Sequence, residues 1–392
     1  MCNDLETSSA LRRSIRVLIL NYEYPPLGGG AGVATRYLIS ILSKMDNIAV
    51  DLITSSLDRS RIEQLSPNTT IHFLDIGKKG SLHYQSNSDL AVYAARAYFY
   101  AKRLMRRVSF DVTHAFFGIP CGVTAMNLGL PYIVSLRGSD VPFYNRRFKT
   151  LDRLVFQRLS RRVWKNASHV TANSEGLRTL ALQSAPNQDI LVVPNGVDCS
   201  FFYPASKKKQ SDDMTIVSTG RLIERKGYKY LVEALKGIPN VRLCLAGDGN
   251  LKNELAAQAA ELGVRVEFLG PKSKSEVADL LRASDLFVLP SLNEGMSNSL
   301  LEALATGLPA VVTDVGGSAE LVTDGRNGYI VEKADAAALR RCIHIYLRNQ
   351  KLPAVHGRTS RQIAETMSIE RNAEQYISLY RNAAVSPTIE QR

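Results

Sequence analysis

Residues 285–313 read DLFVLPSLNEGMSNSLLEALATGLPAVVT. An apolar run from Asp285 to Leu289 gives way to a loop ending in Glu294 and Gly295. A helix follows, with its first turn near Ser297, Asn298 and Ser299, and then a second β-branched run at 309–313. Strand, loop, helix and strand in that order are the unit of a parallel sheet flanked by helices. The same alternation runs down the whole chain. Strands are predicted at 15–20, 48–54, 70–74, 111–116, 131–136, 168–173 and 189–193, and again at 214–219, 241–246, 264–269, 285–289, 309–313 and 328–331. Between the two sets, residues 195–213 (NGVDCSFFYPASKKKQSDD) are polar, carry Gly, Pro and a lysine run, and read as an interdomain linker.

A chain of 392 residues exceeds one ordinary core, so two α/β domains are expected. With 45% apolar and 22% charged residues, the composition is that of a globular protein rather than a disordered or fibrous one. No apolar run approaches the roughly 18 residues of a membrane span, and IRVLIL after Arg12, Arg13 and Arg16 is too short for a secretory signal core, so a cytoplasmic location is expected. Five scattered cysteines without C-x-x-C spacing suggest neither a disulfide framework nor a zinc site. The six histidines form no ligand pair and D-x-D is absent, so no built-in metal is inferred. The net charge of +12 is concentrated in residues 1–205, which hold 24 Lys+Arg against 15 Asp+Glu. Such a field implies an anionic partner: nucleic acid, a phospholipid surface or a phosphorylated substrate.

Ligands of open α/β sheets bind beyond the carboxyl ends of the strands, so the loops there are where chemistry is sought. After the first strand, PPLGGGAG strips the chain of side chains at Gly28, Gly29, Gly30 and Gly32. Backbone N–H groups can then approach a phosphate, although a tight βα turn reads equally well. In the second half, GRLIERKG puts Arg221 and Lys226 on a loop, where two cations suit a diphosphate or form ordinary surface charge. Ser299 and Glu302 match the S-x-x-E capping box, which gives Glu302 a structural job. Glu294 has none in sight, and reads as an exposed acid facing a ligand. The helix start beside it offers N–H groups as a seat for a diphosphate.

Taken in order, PPLGGGAG, GRLIERKG, LAGDGN, FLG and the E-x7-E pair Glu294 and Glu302 resemble the retaining glycosyltransferases of family 4, over roughly residues 15–384. The resemblance implies an α/β fold of GT-B architecture, with two Rossmann-like domains facing across a cleft. An acceptor-binding domain would span 1–200 and a nucleotide-sugar-binding domain 201–370, with a helix and tail over 371–392 crossing back to the first. It implies that Arg221 and Lys226 neutralise the donor diphosphate and that Gly295, Ser297, Asn298, Ser299 and Leu300 contact the same phosphates. Glu302 would then bind the ribose and Glu294 sit beside the transferred sugar. Leu269, Gly270 and Pro271 would meet the base, and Gly29 and Gly30 close over the phosphates. The donor would be a UDP- or GDP-sugar acting as substrate, with no cofactor and no metal. On the acceptor side the candidates are His114, Arg137 and Asp140. Phe116 and Arg137 stand where many relatives carry histidine, and either a packing or an acceptor role is open to His114 and Arg137.

Two clusters account for the basic field: Arg96, Lys102, Arg103, Arg106 and Arg107, and a second spanning Arg146, Arg147, Lys149, Arg153, Arg158, Arg161, Arg162 and Lys165 with Phe148, Leu154, Phe156 and Trp164 among them. Each is a solvated face or a surface for an anionic bilayer, at about 1 kcal/mol per basic residue. The expected partners are therefore the donor, a glycan or lipid-linked acceptor and an anionic membrane surface, and no nucleic acid. A glycosyltransferase of polysaccharide or lipopolysaccharide assembly is the leading reading. A sugar-nucleotide epimerase or phosphorylase would share the diphosphate seat, and a membrane- or polyanion-binding module would explain the charge but not Glu294.

Overall fold

The computed structural model describes residues 14–78, 85–144, 155–206 and 213–385. The chain divides into two compact units, 1–194 with 369–392, and 195–368.

Among the described residues of the first unit, eight strands form one sheet: β1 (Ile15–Leu20), β2 (Ile48–Ser56), β3 (Arg61–Ser66), β4 (Thr69–Asp75), β5 (Val112–Phe116), β6 (Tyr132–Leu136), β7 (His169–Ala172) and β8 (Leu191–Val192). Their order is β3-β4-β2-β1-β5-β6-β7-β8. All pairs are parallel except β3 with β4. β1 reads IRVLIL without polar alternation because helices cover both faces of a parallel sheet. Those helices include α1 (Gly30–Leu42), α2 (Asn87–Met105), α3 (Gln157–Lys165) and α4 (Glu175–Leu182). The C-terminal helix, Ile369–Val385, also packs on this sheet and buries Tyr376 and Tyr380 against β1, β5 and β6. β3 is absent from the sequence expectation for a physical reason. It is an edge strand exposed along most of its length, so RIEQLS carries no buried face to betray it.

The second unit holds β9 (Met214–Thr219), β10 (Val241–Ala246), β11 (Val266–Gly270), β12 (Leu286–Leu289), β13 (Ala310–Thr313) and β14 (Gly328–Val331), all parallel in the order β11-β10-β9-β12-β13-β14. Helices α5 (Tyr228–Ala234), α6 (Lys252–Glu261), α7 (Lys274–Arg282), α8 (Asn298–Ala305), α9 (Ala336–Arg348) and α10 (Leu352–Thr366) cover it. The chain winds outward from β9 in one direction and from β12 in the other. The loops after these two neighbouring strands therefore flank the topological switch point, where such sheets open a crevice.

Residues 195–206 are not a linker, contrary to the reading of their composition. Phe202 and Val197 are fully buried in the second unit's core. The Val197 N–H donates to the Met367 carbonyl, and Arg361 donates to the carbonyl of Phe202. Polar residues mislead here because their partners lie far along the chain. The rest of that stretch, 207–212, lies outside the described residues.

Candidate active site

At the switch point of the second unit, the β9 loop closes on the β12 loop at Gly227. Its φ is +66°, and a Cβ there would stand 2.0 Å from the Pro290 carbonyl oxygen. One bond further the Leu292 N–H donates to the Arg225 carbonyl at 2.8 Å. This stitch sets Lys226 opposite Glu294, with Nζ 2.5 Å from Oε1, while Ser291 Oγ donates to the same oxygen at 2.8 Å. The β13 loop holds the site from the other side. Gly317 donates to the Gly295 carbonyl at 2.6 Å, and a Cβ on Gly316 would fall 1.9 Å from the Glu294 carbonyl oxygen.

Glu294 is thus not the exposed acid that the sequence suggested. It is 9% exposed, as is Lys226, because two glycine-mediated approaches fold the loops over it. Burial alone would raise its carboxyl. The Lys226 and Arg225 charges and the hydrogen bonds from Lys226 and Ser291 outweigh that and hold it below the ordinary value, so it is an anion. Arg221 lies half-buried on the same loop.

The start of α8 also differs from expectation. Ser297, not Ser299, is the N-cap: its Oγ accepts the Leu300 N–H at 3.4 Å, and Glu302 falls too late in the helix to complete a capping box. Ser299 instead pairs its hydroxyl with that of Ser297 at 3.0 Å. Asn195, unremarked in the sequence, pins this turn by donating from Nδ2 to Asn298 Oδ1 at 2.8 Å and to the Met296 carbonyl at 3.3 Å. Nothing in the sequence signals a contact across a hundred residues. Leu269 and Gly270 end β11 and Pro271 follows it, and Gly247 of the neighbouring loop donates to the Gly270 carbonyl at 2.8 Å. Leu269 and Gly270 are half-buried and Pro271 is exposed.

The glycine loop of the first unit has its own occupant. Glu23 folds back so that Oε2 accepts the N–H of Gly29, the N-cap of α1, at 2.9 Å. Its stem fills the space that a Cβ on Gly28 would need, which explains that glycine at φ +91°. A carboxylate therefore already sits at one of the N–H groups expected to meet a phosphate.

His114 is buried beneath the C-terminal helix, with Nδ1 2.7 Å from the Tyr380 hydroxyl and Nε2 2.7 Å from Ser135 Oγ. Burial and then the Arg137 charge push its pKa well below the ordinary value, so it is a neutral packing residue. Arg137 stacks its guanidinium 4.4 Å above the Phe116 ring. The aromatic ring at that position thus supports the arginine. Asp140 binds backbone: Oδ2 accepts Gly118 N–H at 2.7 Å, and Oδ1 accepts Arg137 and Gly138 N–H at 2.9 and 3.0 Å. It braces the loops after β5 and β6, and burial raises its carboxyl despite those three donors.

Among the described residues, no three His, Cys, Asp or Glu side chains gather as a metal would require, and no helix is long and apolar enough to cross a membrane. Of the basic clusters, Arg103, Arg106 and Arg107 are exposed beside a 71% exposed Phe99, and Lys102 donates to the Leu128 carbonyl. Arg158, Arg161, Arg162 and Lys165 are exposed on or beside α3, whereas Trp164 faces inward, fully buried. Arg146, Arg147, Phe148, Lys149, Arg153 and Leu154 lie outside the described residues.

Two family profiles match contiguous parts of the chain, one described as glycosyltransferase family 4 over residues 28–201 and one as glycosyl transferases group 1 over residues 201–363. The chain belongs to glycosyltransferase family 4. This family 4 chain is 26% identical over 362 residues to an uncharacterized glycosyltransferase of Methanocaldococcus jannaschii, covering 91% of the chain and 95% of that relative. It is 29% identical over 213 residues to a UDP-Gal:alpha-D-GlcNAc-diphosphoundecaprenol alpha-1,3-galactosyltransferase of Escherichia coli, a match spanning 50% of the chain and 55% of that enzyme. Sucrose-phosphate synthase of Thermosynechococcus elongatus superposes with a TM-score of 0.82 at 21% identity, covering 94% of the chain and 98% of the synthase. The fold of the family 4 chain is accordingly that of GT-B glycosyltransferases: two Rossmann-like α/β units.

Proposed function

We propose that the chain transfers a sugar, with retention of anomeric configuration and without a metal, from a UDP- or GDP-sugar to a hydroxyl of a glycan or lipid-linked acceptor in cell-surface polysaccharide or lipopolysaccharide assembly. One observation carries this reading: the buried Lys226–Glu294 pair set beside the capped start of α8 at the switch point of the second sheet. The similarity to an enzyme whose name specifies a UDP-sugar and a diphosphoundecaprenol-linked acceptor supports the class of both substrates.

In this reading, an ammonium has three donors, so Lys226 can hold Glu294 and still reach phosphate oxygens. As the anomeric C–O bond breaks, positive charge grows on the sugar and negative charge on the leaving diphosphate. Glu294, held ionised, stabilises the first. Lys226, Arg221 and the N–H groups at Ser297 to Leu300, the last once it leaves the Ser297 hydroxyl, stabilise the second, and groups fixed beforehand contribute most. The departing phosphate oxygen takes the proton of the attacking acceptor hydroxyl, which bonds to the anomeric carbon on the face the phosphate leaves. Glu302 binds the ribose, and Leu269 to Pro271 line the base. In the first unit, the Gly29 N–H is open to a phosphate only once the Glu23 carboxylate releases it. The exposed basic face near Phe99 suits peripheral attachment to an anionic cytoplasmic leaflet.

A thermal-shift screen of UDP, GDP and NAD in EDTA tests the reading. UDP or GDP raises the melting temperature and NAD does not. No shift with either nucleoside diphosphate, or a shift that appears only on adding a divalent metal, would overturn it.

A further inference from the structure

The first unit contains a cavity of about 220 Å³ at the carboxyl ends of β1 and β2, bordered by Pro26 and Leu27 of the glycine loop but not by Gly29 or Gly30. Tyr24 and Phe73 form its apolar side, with their rings edge to face at 6.2 Å. Its polar rim is Ser56, Asp58 and Arg61, the last supplied by the antiparallel strand β3. Arg61 is fixed on every side. Its guanidinium lies 3.7 Å over the Phe73 ring, Nη1 donates to Ser56 Oγ at 3.0 Å, and Nε donates to Glu63 at 2.7 Å. Ser56 in turn donates to Asp58 Oδ1 at 3.0 Å, and Asp58 stands 3.7 Å from Arg61. Ser55 also lines the cavity and is 1% exposed, and its hydroxyl has no hydrogen-bond partner among the described residues. Buried hydroxyls are normally paired, so one left open beside a cavity marks a place for a polar ligand.

We propose that this cavity is a subsite for one neutral pyranose ring of the acceptor, an inference that rests on the glycosyltransferase reading. Three features select that chemistry. An apolar wall opposite a polar rim matches a ring with C–H bonds on its faces and hydroxyls at its edge. An acceptor, Asp58, next to a donor, Arg61, reads adjacent hydroxyls, each of which both gives and takes a hydrogen bond. Charge excludes an anionic sugar or phosphate, because Arg61 is already offset by Asp58 and Glu63. A volume of about 220 Å³ suits a single ring. β3 then has a purpose: it is the element that brings a preorganised arginine to the rim.

Saturation-transfer NMR on the full chain tests this, using the methyl α-glycosides of glucose, galactose, mannose and N-acetylglucosamine, with glucose 6-phosphate and glucuronate as anionic probes. At least one neutral glycoside should receive saturation from the wild type, and bind at least tenfold more weakly to Asp58→Ala and Arg61→Ala. Asp58 is exposed and Arg61 half-buried at the cavity rim, and the UDP or GDP thermal shift should be unchanged in each variant. Equal transfer in wild type and variants, transfer to none of the neutral glycosides, or stronger transfer to the anionic probes would overturn the subsite. If these failures come with an intact nucleotide shift, the glycosyltransferase reading stands without the subsite; loss of that shift in the wild type removes the reading itself.

Discussion

His114 shows how far a single residue can be read before its neighbours are known. The sequence marked it as a candidate, but both ring nitrogens are engaged by Tyr380 and Ser135, the first of them 266 residues away. That burial has a measurable consequence. Its folded pKa lies below the unfolded value of 6.5, so above pH 7 neither state is protonated and the group is silent. As pH falls through about 6.5, the unfolded chain takes up a proton that the folded one refuses, and stability drops by up to about 1.4 kcal/mol per pH unit for this group. His169 and His356 are lowered as well and contribute in the same direction. Urea midpoints measured from pH 7.5 to 5.5 should therefore fall, and His114→Gln should make the slope shallower. An identical slope in the variant would show that His114 is not buried neutral. Glu294 and Lys226 teach the converse: the sequence supplied both identities, but their pairing depends on a loop contact 68 residues apart in the chain.

At the scale of elements, the sheets were legible because buried parallel strands leave long aliphatic runs, whereas β3, the strap at 195–206 and the true cap of α8 were not. The first two depend on surface exposure or a distant partner rather than on a local pattern, whereas the α8 cap is local and was missed because Ser299 matched the capping-box pattern two residues late. Glycines separate the two kinds of information well. Gly227 and Gly263 have nearly the same left-handed φ, +66° and +65°, but a Cβ on Gly227 would collide with the Pro290 carbonyl and one on Gly263 would meet nothing within 4 Å. Gly263→Ala should cost only the backbone term, about 1–2 kcal/mol. Gly227→Ala should add about 1–3 kcal/mol for displaced packing and, by parting the two loops, weaken nucleotide binding as well. Equal melting temperatures and equal nucleotide affinity in the two variants would mean that the β9–β12 stitch does not position Lys226.

For the whole molecule, two sheets, parallel but for the β3 edge, put loops of opposite winding at a switch point in each unit, after β1 and β5 in the first and after β9 and β12 in the second. PPLGGGAG follows β1, GRLIERKG follows β9 and the Glu294 stretch follows β12, while LAGDGN follows β10 and FLG ends β11, so the family was recognisable from residues that are not neighbours in the chain. The uneven charge was equally visible, while the chemistry of its partner was not, since surface arginines specify an anion and nothing finer. The central claim is that a pre-formed ion pair in the second unit assists departure of a nucleoside diphosphate from a sugar. Its most direct test is the rate at which the chain releases nucleoside diphosphate from its sugar donor in EDTA, compared for wild type, Lys226→Ala and Glu294→Ala. Both variants should keep the wild-type circular dichroism and lose at least about a hundredfold in kcat, as expected for groups whose effect is greatest in the transition state. Folded variants that turn over at the wild-type rate would contradict the account.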